Sequence, residues 1–138
     1  MNTEILIVSH LKDKAYLEWC LKSIRKFATG FSGVTLVVPT ADYPQFAPLA
    51  LEFGAKIHSH ELPGHLGAQA QKCLADKHCP DADFILHTDS DCVFTEPVTP
   101  EDYFADNRDA APVMLIERFS RLPGNPWQAV VEKALGFP

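Results

Sequence analysis

Two short runs, Ile5-Leu6-Ile7-Val8 and Val34-Thr35-Leu36-Val37-Val38, constrain this chain more than any other feature. Neither alternates apolar with charged residues. A strand with one wet face alternates, whereas a strand covered on both faces does not. Between the runs, Leu17, Cys20, Leu21, Ile24 and Ala28 recur at helical spacing, with Asp13 placed to cap the helix and Gly30 to stop it. Pro39 ends the second strand, and a loop over 40–45 follows. A short helix over about 48–53, broken by Gly54, and a third strand over 55–58 come next. The loop Glu61-Leu62-Pro63-Gly64-His65 leads into a helix near 66–77, and a fourth strand covers 84–87. A fifth strand over 113–116 and a helix over 127–135, stopped by Gly136, complete the pattern. Strands alternating with helices predict an α/β fold of three layers, Rossmann-like, with a mostly parallel sheet flanked by helices.

The 138 residues suit a single domain over 1–138. Net charge is −6, which argues against a nucleic-acid grip, since that needs a basic face. It also means that an anionic substrate needs a metal or a local basic group beside it. The start, Met1-Asn2-Thr3-Glu4, lacks a positive leader region, and no stretch approaches the length of a membrane span, so a cytoplasmic protein is expected. Cys20, Cys73, Cys79 and Cys92 include no C-x-x-C pair, so they read as reduced, half-buried thiols rather than a zinc ribbon. Trp19 and Phe27 read as core, and Trp127 as core or surface.

The chemistry concentrates in Phe84-Ile85-Leu86-His87-Thr88-Asp89-Ser90-Asp91-Cys92-Val93-Phe94. An apolar strand runs into two carboxylates, and carboxylates at the end of a buried strand are costly unless paired. Positions i and i+2 of an extended chain point the same way, so Asp89 and Asp91 can face one ligand. A hard divalent cation with its phosphates is the natural candidate. The competing reading is a pair of turn-capping aspartates. In open α/β sheets, ligands bind at the carboxyl ends of strands where the order switches. A Rossmann-like order makes the first and fourth strands neighbours there, which brings Ser9 and His10 to the edge that carries Asp89 and Asp91.

The first strand followed by Ser9-His10, a helix bearing Gln69 and Lys72, and a strand ending in Asp89-Ser90-Asp91 resemble the nucleotide-binding half of GT-A glycosyltransferases. The resemblance runs from about residue 5 to 94, and 111–138 are similar to a following strand and helix of a bacterial and phage branch of that superfamily. It implies an Asp-x-Asp motif holding Mn²⁺ or Mg²⁺ on the diphosphate of a nucleotide sugar, UDP-sugars favoured, with an acceptor that the sequence does not name. Asp91 would be the direct metal ligand, and Asp89 would bind the ribose or the metal, directly or through water. Lys72 would offset phosphate charge or hold a carboxylate, with Gln69 one turn earlier on the same face. His10 would sit beside the base or ribose, and Asp42 near the base.

Little chain follows Asp91, so the resemblance implies an acceptor half that is expected to be short or missing. Glu101, Asp102 and Glu117 are the carboxylates there that could act as a base. Loss of that half would leave an apolar face that favours self-association into a homo-oligomer. A catalytically weak nucleotide-binding module is the alternative. A haloacid-dehalogenase-like phosphatase also runs a strand into Asp-x-Asp, but on its first strand. His58, His60 and His65 raise a zinc site that lacks a fourth ligand at suitable spacing, and His87 reads as a residue that packs or orients a carboxylate.

Overall fold

The structure is a computed structural model that describes residues 2–104, 111–113, 133 and 136. The chain divides into two compact units, Met1–Phe104 and Ala105–Pro138. The description concerns the first. The predicted strand at 113–116, the helix at 127–135 with Trp127, and Glu117 lie outside the described residues, apart from Val113 and Lys133.

Four strands, β1 (Thr3–Val8), β2 (Gly33–Pro39), β3 (Lys56–His60) and β4 (Phe84–His87), form a parallel sheet in the order β3-β2-β1-β4. Ile5 pairs with Val34 on one side and Leu86 on the other, which fixes β1 as a central strand. All six of its residues are buried. The fold class is the expected one, α/β and Rossmann-like with helices on both faces.

Period-two alternation divides the strand side chains between two layers. Ile5, Ile7, Leu36 and Val38 meet Leu17, Cys20, Leu21 and Ile24 of α1 (Lys14–Phe27). Phe46, Leu49 and Ala50 of α2 (Tyr43–Phe53) join the same core. Leu6, Val8 and Val37 point the other way, against α3 (Gly64–Cys73), α4 (Ala75–His78) and the turn after it, through Ala68, Ala75 and Cys79.

Several boundaries and exposures differ from expectation for physical reasons. α2 begins at Tyr43, with Pro44 in its first turn where no amide donor is needed, and it absorbs Pro48 in its interior. Gly54 takes a left-handed φ of 66° and closes it, its N–H reaching the Ala50 and Leu51 carbonyls. The expected helix over 66–77 starts earlier and breaks at Leu74 into α3 and α4. Trp19 is 65% exposed rather than core, with the Lys22 ammonium 4.9 Å from its ring centroid. Phe27 is half-buried. Cys20 and Cys79 are buried, whereas Cys73 and Cys92 are exposed. Asp13 stands at the N-cap of α1 but makes no capping bond.

Glu4 lies buried in β1, where an uncompensated carboxylate would be very costly. It accepts from the Thr35 hydroxyl on β2, and the Lys56 ammonium on β3 lies 3.2 Å from both carboxylate oxygens. Three neighbouring strands are thus tied on one face.

Candidate donor-binding cleft

The carboxyl ends of β1, β2 and β3 and the turn after β4 open into one cleft of about 760 Å³. Ser9, His10, Asp42, Gln69, Lys72, Asp89 and Asp91 all line it. They come from four separate segments, brought together by the strand order. The wall formed by α3 depends on Gly67. A Cβ there would sit 2.3 Å from the Leu62 carbonyl oxygen, so glycine alone lets the preceding loop press against the helix.

Asp89 and Asp91 reach the cleft by a different route from the expected one. β4 stops at His87, and the Cys92 amide donates to the Asp89 carbonyl at 3.1 Å, closing a turn. Aspartate is favoured at the first position of such a turn. Ser90 is buried between two exposed carboxylates, so the turn, not an extended i, i+2 pair, aims both outward. The carboxylates therefore do not carry the full cost of burial.

Among the described residues, four carboxylates line the cleft, Asp13, Asp42, Asp89 and Asp91, against the lysines Lys12 and Lys72. Three of the four are engaged. Asp13 lies 3.3 Å from His10 Nε2. Asp42 accepts from the Leu11 amide at 2.9 Å, tying the loop after β1 to the start of α2. Lys72 Nζ donates to Asp89 Oδ1 at 2.5 Å. Among the described residues Asp91 has no cationic partner. Its one hydrogen-bond contact is with the weak Cys92 thiol donor at 3.9 Å.

Two thiols and an imidazole surround this turn. Cys20 Sγ lies 3.8 Å from the Asp89 carbonyl. Burial, then the proximity of Cys92 and Asp91, pushes its pKa up to about 12. His87 is held below the ordinary histidine range by burial first and by the Lys72 charge second, with Asp89 opposing. It does not line the cleft.

Asp91 is the side chain of this donor set that could hold a divalent metal. Asp91 offers a free hard oxygen donor, and the Lys72–Asp89 pair stands beside it. Among the described residues no cluster of three or more His, Cys, Asp or Glu side chains could hold a metal ion. Phosphate oxygens and water would complete the coordination of an ion at Asp91. His58 pairs with His78.

Sequence reading missed His60, His65, Lys12 and Asp13 in the cleft wall. β3 runs to His60 rather than 58, which carries that ring to the sheet edge. The period-two run Lys56, His58, His60 was the available signal. Among the described residues, the Ser9 hydroxyl and His60 Nδ1 are buried without hydrogen-bond partners. Asp102 is not free to act as a base, because its carboxylate accepts from the Thr99 amide at 2.7 Å in a capping box. Neither it nor Glu101 lines the cleft.

The crystal structure of S. aureus TarS, a glycosyltransferase, matches 66% of the chain with a TM-score of 0.51 and 22% identity. The fold is glycosyltransferase-like. The chain spans 17% of the TarS chain it matches. No protein-family model matches the chain, and no curated protein matches its sequence. Among the described residues, no helix is long and apolar enough to cross a membrane.

Proposed function

We propose that this chain is a metal-dependent glycosyltransferase or its donor-binding half, taking a nucleotide-diphosphate sugar, UDP-linked in first place, into the cleft. The observation that carries the reading is Asp91: a carboxylate without a cationic partner among the described residues, in a cleft where the other three are engaged. A cleft of this charge repels a bare diphosphate, and a cation at Asp91 reverses that. The TarS likeness supports the fold of such an enzyme.

Asp91 would hold Mn²⁺ or Mg²⁺, with Asp89 close by. When bound, the metal would act as a Lewis acid that neutralises charge developing on the leaving diphosphate. Lys72 is placed to move from Asp89 to a phosphate oxygen, a short reach for a flexible ammonium. Asp42, held in place by the Leu11 amide, lines the cleft and would stand near the base. His10, paired with Asp13, would stand beside the ribose, and Gln69 lines the same cleft from α3.

A second reading, donor binding without transfer, is favoured by one observation. Among the described residues, every carboxylate in the cleft wall other than Asp91 is already engaged, and neither Glu101 nor Asp102 lines it. Electron paramagnetic resonance of Mn²⁺ tests the proposal. The free-ion signal should fall when protein and UDP are added together, more than with either alone. Equal signals for the mixture and for UDP alone would sink it. Release of sugar from a UDP-sugar panel then separates transfer or hydrolysis from binding alone.

A further inference from the structure

The sheet face packed by α3 and α4 brings two imidazoles together outside the cleft. His58 stands in the middle of β3, and His78 ends α4. Their Nδ1 atoms lie 3.2 Å apart, with ring centroids 5.3 Å apart and planes inclined at 68°. Neither ring lines the cleft. His78 Nε2 lies 3.0 Å from Oε1 of Gln71 on α3, and Gln71 is buried.

Hydrogen accounting shows what the two nitrogens can offer. A Gln carbonyl oxygen only accepts, so Nε2 of His78 carries a hydrogen, and Nδ1 of the neutral ring keeps a free lone pair. His58 is under no such constraint. Its Nδ1 can donate to His78, yet its Nε2 is not among the buried atoms without a partner, so the hydrogen can move there and meet water. Both Nδ1 lone pairs then become available on neutral rings, with no proton lost. Two nitrogens held tetrahedrally at the zinc–histidine bond length stand about 3.3–3.4 Å apart. The observed spacing is already close to that value, so a turn of the rings brings both lone pairs onto one point. Metal-ligating histidines donate their other N–H to a carboxylate, carbonyl or water, and Gln71 supplies such a carbonyl to His78.

We propose that His58 and His78 form a binding site for a borderline divalent transition-metal ion, Zn²⁺ in first place, through their Nδ1 atoms, with water in the remaining positions. Imidazole suits zinc, copper and nickel, whereas Mg²⁺ and Mn²⁺ prefer carboxylate, phosphate and water oxygens. The site thus differs in place and in metal from the one proposed at Asp91, and it does not depend on the donor-site reading. Asp76, on the same helix as His78, favours positive charge there. Lys56, two residues before His58, is committed to Glu4. His60 shares this strand face, but no group of three ligands forms among the described residues, so the pair acts without it.

Titration of Zn²⁺ into the metal-free, nucleotide-free protein near pH 7.5, about one unit above the ordinary histidine value, tests the site by ¹⁵N NMR of the imidazoles. The Nδ1 signals of His58 and His78 should move together with one-to-one stoichiometry, leaving Nε2 protonated on both rings. Loss of even an outer hydrogen-bond partner weakens a metal site about ten- to a hundredfold, so His58→Ala should weaken Zn²⁺ binding at least about tenfold. Mg²⁺ should leave both rings unmoved, and Asp91→Asn should give the same Zn²⁺ shifts as the wild type. Failure of the donor-site reading would leave these shifts in place. No movement of the two rings up to about 1 mM Zn²⁺, a weak affinity by any measure, would overturn the site. Movement of other histidines alone, or an affinity unchanged in His58→Ala, would do the same. The NMR titration is made on the wild type, so it decides even where His58→Ala does not fold.

Discussion

Replacing Lys72 by alanine should separate folding from phosphate recognition. Its ammonium meets Asp89 at 2.5 Å, with side-chain exposures of 28% for the lysine and 59% for the aspartate. An ion pair this open to solvent contributes about 0–1 kcal/mol to stability. The urea midpoint of Lys72→Ala should therefore move little. The loss in nucleotide binding should be larger. A charge-assisted bond to a diphosphate is worth about 1.5–3 kcal/mol, or about ten- to a hundredfold in affinity. Uridine lacks the diphosphate and should bind the variant within about twofold of wild type. Mn²⁺ alone should bind no more weakly, because the change frees Asp89 and makes the cleft more negative. Calorimetry with UDP, uridine and Mn²⁺ gives all three numbers. Equal losses for UDP and uridine would refute the phosphate role. A large fall in the urea midpoint would show that Lys72 serves the fold.

Leu17 is fully buried in the core against the sheet, so Leu17→Ala should cost about 2–5 kcal/mol by urea unfolding. Lys56→Ala strands the buried Glu4 carboxylate. It should destabilise by about 1–3 kcal/mol, less than a wholly buried pair because Lys56 is half exposed, and adding Glu4→Gln should recover much of that. In native protein near neutral pH, a thiol reagent should label Cys73 and Cys92 quickly. It should reach Cys20, whose pKa is pushed up to about 12, and buried Cys79 only after unfolding. Prompt labelling of Cys20 would contradict its placement behind the Asp89 turn.

The parts of the fold that the sequence expressed clearly are those where a single period dominates. β4 was readable to the residue because four apolar-to-polar positions are bounded by Asp83 and the Thr88-Asp89 turn. The α1 face was readable because Leu17, Cys20, Leu21 and Ile24 face one core. Elements governed by partners elsewhere in the chain were not. Burial of Glu4 depends on Thr35 and Lys56 on two other strands, and no local pattern announces it. The start of α2 was obscured by Pro48, whose lost hydrogen bond is offset by burying Phe46, Leu49 and Ala50. Trp19 stands outside the core because the Leu17–Leu21–Ile24 face is turned inward on the same helix.

The candidate site was legible in membership and not in mechanism. All seven proposed residues line one cleft, because strand order was inferable from alternation and topology. The reason given for the Asp pair was wrong: a buried Ser90 and a turn orient the carboxylates, not a continued strand. Asp42 and Asp13 show why. Each has a partner, the Leu11 amide and His10, that depends on how the loop after β1 folds, and loops lack periodicity. Asp91 stands apart from the other carboxylates only once those partners are seen.

Calorimetric titration of UDP with and without Mn²⁺, on wild type and Asp91→Asn, tests the central claim most directly. Metal-dependent binding in the wild type, lost in Asp91→Asn while the urea midpoint is unchanged, is the predicted result. Binding that ignores Mn²⁺, or that survives Asp91→Asn with its metal dependence intact, would contradict the assignment of Asp91.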